Sequence, residues 1–182
     1  MNFDSTTTDV QRLNNIIRYN PHLKCHTETV AAHSFFVSFY ASEVCTELKL
    51  CDIIRLYSLE GAIHHDVPES FTNDITHDVK QALPRLKEVL APVEEEIINK
   101  NSMLAHKTLY DTEDDYCIIA KAIVEYADIR SVVEYCKQEA QLGNKFFTGM
   151  QQESEVRLSK AKADLSKAMK TALKKGVKIY AD

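Results

Sequence analysis

Apolar positions recur at three- and four-residue steps along most of this chain, a period that predicts helices throughout. From Val10, residues Leu13, Ile16 and Ile17 fall at helical spacing. Pro21 biases its neighbour away from the α region, so a first helix should end near Arg18 and Tyr19. After a polar connector to Thr27, the residues Val30, His33, Phe36, Val37, Tyr40, Ala41 and Val44 form the stripe of a second helix reaching about Leu48. Between Cys51 and Asp66, the positions Ile53, Ile54, Leu56, Tyr57, Leu59, Ala62 and Ile63 predict a largely buried third helix, stopped by Pro68. The polar run His64, His65, Asp66 therefore sits at a helix end.

The stretch from Glu69 to Asp78, rich in Thr, Asn, Asp and His, reads as an irregular loop with at most one helical turn. Leu83 to Leu109 is a more polar helical excursion, expected to break at Pro92. Cys117 to Leu142 is apolar over more than one face and should be the central helix, with Gly143 as its C-cap. A last amphipathic helix, at about 152–175, has a single stripe of Leu158, Ala161, Leu165, Ala168 and Ala172. No repeat or linker divides residues 1–182, so the pattern predicts one all-α domain, a single helical bundle.

Composition narrows this picture. Only four Gly and four Pro occur among 182 residues, which disfavours a turn-rich sandwich or barrel, and 45% hydrophobic content suffices for one core. A net charge of -5 and a pI near 5.8 give no general attraction to polymeric nucleic acid. No apolar run approaches membrane-spanning length, and the polar start, with Asp4, Thr6, Thr7, Thr8 and Asp9, lacks the character of a signal or transit peptide. The expectation is a cytoplasmic protein without a membrane partner. Five irregularly spaced cysteines with no CxxC read as reduced thiols, mostly in the core.

The candidate chemistry lies where polar groups interrupt apolar helices. His65 and Asp66 pair a neutral nitrogen with an anionic oxygen, His33 stands on an apolar stripe, and Asp128 lies mid-way along the most hydrophobic helix. Each has an ordinary reading alone: a chance dipeptide, a satisfied core histidine, a buried salt bridge. Together they offer two imidazoles and two carboxylates from three helices, a sufficient set for a divalent cation such as Co, Mn, Zn or Mg that keeps positions open for water and a phosphate oxygen. His64 is the rival to His65, but neighbours on a helix point about 100 degrees apart and only one can face inward. Lys80, after the acidic loop, is a candidate for binding phosphate.

The order His33, then His65-Asp66, then Asp128 resembles the pattern of the HD-domain phosphohydrolase superfamily, whose fold is a helical bundle. More narrowly, Ile17-Arg18-Tyr19, Thr27-Glu28-Thr29-Val30-Ala31-Ala32-His33, His65-Asp66-Val67-Pro68-Glu69 and Thr72-Asn73-Asp74-Ile75 resemble the HD-domain 5'-deoxynucleotidases, to which the phage enzymes that hydrolyse dATP look related. The similarity covers residues from about 11 to about 140, and the last helix carries none of its motifs.

The resemblance implies that His33, His65, Asp66 and Asp128 bind the metal. It implies that Glu69 and Asp74 activate water or protonate the leaving oxygen, that Arg18 contacts the nucleotide, and that Tyr19 forms an aromatic wall against the sugar. Tyr19 replaces the family's usual Trp, and Asn73 stands where the family often has Gly. The reaction so implied is cleavage of a 2'-deoxynucleoside 5'-monophosphate to deoxynucleoside and phosphate. A triphosphohydrolase releasing triphosphate from dATP is the alternative, with Arg18, Lys24, Lys80, His22 or His26 as added cationic groups. A non-catalytic nucleotide-binding module is a further one. A homodimer or larger homo-oligomer is expected from the same resemblance and the several apolar helices.

Overall fold

The computed structural model describes residues 10–181. Among them the helices are α1 (Val30–Glu47), α2 (Asp52–His64), α3 (Glu69–Thr72), α4 (His77–Ala82), α5 (Pro84–Asn101), α6 (Met103–Tyr110), α7 (Asp115–Gln141) and α8 (Lys145–Lys174), preceded by a 3-10 turn at Arg12–Asn14. No strand occurs among the described residues, only isolated antiparallel bridges between Ile17 and Thr29 and between Leu50 and Tyr180. None of the described helices is long and apolar enough to cross a membrane.

The central helix is α7, with α1, α2 and α8 packed around it. Val37, Ala41 and Cys45 of α1, Ile54 and Ala62 of α2, and Ile119, Ile123 and Ala127 of α7 are fully buried in this core, which Leu165, Met169 and Ala172 of α8 complete. Gly61 of α2 lies where that helix crosses α6 and α7, and a Cβ built there would meet Val124 Cγ2 at 3.0 Å and Thr108 Cγ2 at 3.1 Å. Caps fix the helix starts that matter: Thr29 accepts the Ala32 N–H at the head of α1, and Asp114 accepts the Tyr116 N–H at the head of α7. Gly143, at φ 92°, ends α7 as its pattern predicts.

Three boundaries differ from expectation. The segment from Val10 to Tyr19 is not one helix: after the 3-10 turn, the Arg18 N–H donates to Glu28 O at 3.0 Å and the Val30 N–H to Ile16 O at 2.9 Å. Pairing with a distant segment thus overrides the local period. Pro92 does not break α5; it is exposed, so water can solvate the carbonyl that its missing N–H would have bonded. The last helix starts at Lys145 rather than near 152, because Phe147 is buried against Tyr19 and Tyr135 and anchors an extra two turns.

Candidate active site

Three elements carry the site. His33 lies in the first turns of α1, His65 and Asp66 follow the end of α2, and Asp128 projects from the middle of α7. Donor atoms of His33, His65 and Asp66 all lie within 4.8 Å of one another. Nε2 of His33 is 3.1 Å from Oδ1 of Asp128 and 3.5 Å from Oδ2 of Asp66. Nε2 of His65 is 3.3 Å from that same Asp66 oxygen. The fold therefore brings together all four groups singled out as metal donors.

Two features fit a cation among them. Nε2 of His33 and Nε2 of His65 are buried without a hydrogen-bond partner, and both face carboxylate oxygens of Asp66 and Asp128, an arrangement of nitrogen and oxygen donors that suits a metal. Moreover, Nδ1 of His65 lies 2.8 Å from the Ala62 carbonyl, so it carries a proton and leaves Nε2 as the nitrogen that would turn to a metal once its own proton is released. A mixed set of two imidazoles and two carboxylates suits the borderline and harder divalent ions. His64 is not in the cluster; its Nδ1 turns back to Glu60 O at 2.9 Å.

The charges are tightly interdependent. Burial opposes ionisation of Asp66, but His65, His33 and Arg18 hold its carboxyl well below the usual range. For Asp128, burial is likewise outweighed by His33 and His65, and its carboxyl is also lowered. Burial lowers His33, reinforced by the Arg18 charge, whereas His65, despite burial, is pushed up to about 9 by Asp66 and Asp128. Glu69 is pushed up to about 9 by burial and by the neighbouring Asp66 and Asp74 carboxylates, and its Oε2 has no hydrogen-bond partner.

Arg18 stands behind His33. One guanidinium nitrogen bonds Glu28 Oε2 at 2.8 Å and lies 2.6 Å from His33 Nδ1. Ser131 Oγ is 3.1 Å from that same Nδ1. Tyr19 places its N–H on Asp74 Oδ2 at 3.0 Å, while its ring stacks on Tyr135 with centroids 4.7 Å apart and lies under the Arg18 guanidinium at 5.1 Å. Lys80, in the last turn of α4, is near enough for its charge to act on Glu69.

Sequence reasoning assigned no role to Ser131, Glu28 or Glu139. Ser131 follows Asp128 by three residues on an apolar helix, a signal that could have been used. Glu28 lies within a motif but needed a partner to acquire meaning. Glu139, charged and in the last turn of its helix, looks like any solvated position.

Residues 7–175 match the model of the family 5'-deoxynucleotidase YfbR-like. In structure, the chain is similar to the HD phosphohydrolase DatZ of cyanophage S-2L, solved bound to dA and one catalytic Zn2+ ion, with a TM-score of 0.64 and 19% identity over 93% of this chain and 96% of that one. It is also similar to the HD-domain phosphohydrolase lin2634 from Listeria innocua, with a TM-score of 0.60 and 21% identity over 92% of this chain and 83% of that one. No curated protein matches.

Proposed function

This chain belongs to the YfbR-like 5'-deoxynucleotidase family, and from that premise we propose that it hydrolyses 2'-deoxynucleoside 5'-monophosphates, with a divalent cation, to deoxynucleoside and phosphate. The observation that carries the reading is the pair of buried, unbonded Nε2 atoms of His33 and His65, aimed at Asp66 and joined by Asp128. His33, His65, Asp66 and Asp128 would hold the cation. When bound, it would acidify a water and offset phosphate charge.

The remaining roles belong to side chains around that set. Glu69, set beside Asp66 and Asp74 with an Oε2 that has no hydrogen-bond partner, is placed to pass a proton to the 5'-oxygen as the P–O bond breaks. Asp74, oriented by the Tyr19 N–H, is left to take the proton of the attacking water. Arg18 offers a planar fork to phosphate oxygens, Lys80 adds positive charge on the acidic-loop side, and the stacked Tyr19 ring gives a rigid wall against the sugar.

The supply of cations favours one phosphate over three. Besides Arg18 and Lys80, the other lysine proposed for a triphosphate is engaged: the Lys24 ammonium is spent on the Arg18 carbonyl at 2.8 Å. We further propose a cytoplasmic homodimer or larger homo-oligomer acting on free nucleotides. Half-exposed Phe35 and Phe39, one turn apart on α1, and Leu56 and Ile63 on the adjacent α2 support such an assembly.

The test is product analysis with dAMP and dATP, each with Mn, Co, Zn or Mg, beside AMP and ATP controls and the Asp128→Ala variant. Phosphate from dAMP that depends on metal and on Asp128 is the expected result. Triphosphate from dATP, without cleavage of dAMP, moves the reading to a triphosphohydrolase. No metal-dependent product from any nucleotide overturns both.

A further inference from the structure

The hairpin that leaves at Arg18 and returns at Glu28 is fastened well away from the metal donors. Its stem is only the short pairing of residues 16–18 with 28–30. Tyr19 is held by Asp74, and residues 23–26 find their partners on the last turns of α7 and the turn that follows. There the Glu139 carboxylate, fully buried, accepts the Cys25 N–H on both oxygens, at 2.8 and 3.0 Å, and the His26 N–H at 2.9 Å. Nδ1 of His26 lies 2.7 Å from the same group, and Asn144 Nδ2 donates to it at 2.8 Å. Tyr135 Oη donates to His26 O at 2.9 Å, and Asn144 Nδ2 also reaches Leu23 O at 2.9 Å.

A buried carboxylate is costly unless its lone pairs are filled, and an apolar residue would serve the packing of α7 better. Every partner of Glu139 belongs to the hairpin or to Asn144, so its purpose is to be sought there. Glu139 lies eleven residues beyond Asp128, about 16 Å along the helix axis, too far to act on the donors directly. Yet Asp128, Ser131, Tyr135 and Glu139 recur at three- and four-residue steps on one seam of one rigid helix. That seam carries a metal donor, the partner of His33 Nδ1, the platform under Tyr19 and the clamp on the hairpin. The clamped end is tied back to Arg18 by the Lys24 ammonium on the Arg18 carbonyl.

We propose that Glu139 is a positioning residue: by holding the hairpin against α7 it fixes where Arg18 and Tyr19 stand relative to the metal donors, and so sets affinity for the phosphate of the substrate. The proposal rests on the hydrolase reading, but binding tests it independently of turnover. In the full-length, metal-loaded protein, Glu139→Gln keeps the size of the side chain and removes one acceptor oxygen, while Tyr135→Phe keeps the stack and removes only the bond to His26 O.

The expected result for Glu139→Gln is a rise of about tenfold in the dissociation constant for inorganic phosphate and in KM for dAMP, with kcat within about threefold. Cobalt affinity should stay at the wild-type value, because none of the four donors is touched, and amide exchange should quicken over residues 19–27. Tyr135→Phe should move phosphate affinity the same way by a smaller factor, and it decides the matter if the Gln variant does not fold. Unchanged phosphate affinity in a folded variant overturns the proposal. So does a loss of cobalt affinity in step with phosphate, which would mark a general loosening of the bundle. A wild-type protein that binds phosphate but cleaves no nucleotide refutes the hydrolase reading alone, and the phosphate comparison still decides the clamp.

Discussion

The backbone N–H of Tyr19 donates to Oδ2 of Asp74 at 3.0 Å, and the chain turns through positive φ beside both ends of that bond, 56° at Tyr19 and 60° at Asn73. Neither residue is glycine. Asn73 combines φ 60° with ψ 171°, which is outside the left-handed helical region that Asn tolerates and inside one that is nearly reserved for Gly. The strained backbone turns the chain sharply out of α3, and the bond to Tyr19 holds Asp74 against the hairpin that carries Arg18.

Asn73→Gly should therefore stabilise the protein. Relief of about 1–3 kcal/mol of backbone strain outweighs the roughly 1 kcal/mol of extra chain entropy that Gly loses on folding. A net gain on the order of 1 kcal/mol is expected in urea unfolding, with hydrolysis retained. A Gly variant no more stable than wild type would show that Asn73 is not strained.

Ser131→Ala tests the support of a metal donor. Nδ1 of His33 accepts from the Arg18 guanidinium, which can only donate, at 2.6 Å, and has Ser131 Oγ at 3.1 Å as a second partner. Binding a metal through Nε2 moves the ring proton to Nδ1, where the Arg18 nitrogen must give way and Ser131 Oγ is within reach to accept it. Loss of the hydroxyl should weaken metal binding about 10- to 100-fold, read by titration of the apoprotein with cobalt. Unaltered affinity would mean that His33 is held in register by packing alone.

Much of this was legible in the sequence, for identifiable reasons. The periods of α1, α2 and α7 are set by contacts that each helix makes along its whole length, so local pattern and final structure agree. Asp128 stood out because a carboxylate in an apolar helix needs a partner. The stretch around Ile16 and Ile17 misled, because its spacing suits a helix while its hydrogen bonds go to Glu28 and Val30. Ser131 and Glu139 were silent for a related reason. A small polar or charged residue on a helix looks solvated until a distant segment packs on it, α1 with His33 for Ser131 and the hairpin of residues 18–28 for Glu139.

Gly61→Ala sets helix propensity against packing. In an exposed helix the change would gain about 1 kcal/mol. Here the new Cβ would meet Val124 Cγ2 at 3.0 Å and Thr108 Cγ2 at 3.1 Å, and forcing α2 away from α7 costs about 1–3 kcal/mol. Stability should fall by on the order of 1 kcal/mol, and cobalt affinity with it, because α2 leads into His65 and Asp66 while α7 carries Asp128. An alanine variant more stable than wild type would show that the crossing has room to give.

Acid should loosen the hairpin before it unfolds the bundle. Burial alone would raise the Glu139 carboxyl, but the Cys25 and His26 N–H groups, Asn144 and the facing His26 ring outweigh it and hold the group below the usual glutamate range. A folded value below the unfolded one means that the unfolded chain takes up the proton first as pH falls. The stabilisation from Glu139 is thus complete above the ordinary glutamate value and is lost as pH drops through the lower folded one. Glu139→Gln, which has no charge to lose, should be less stable than wild type at neutral pH. The gap should narrow from about pH 5 downward, as measured by urea unfolding of both proteins across that range. A gap that stays constant to about pH 3 would mean that the carboxylate charge contributes nothing to the clamp, and that shape and the remaining oxygen do all the holding.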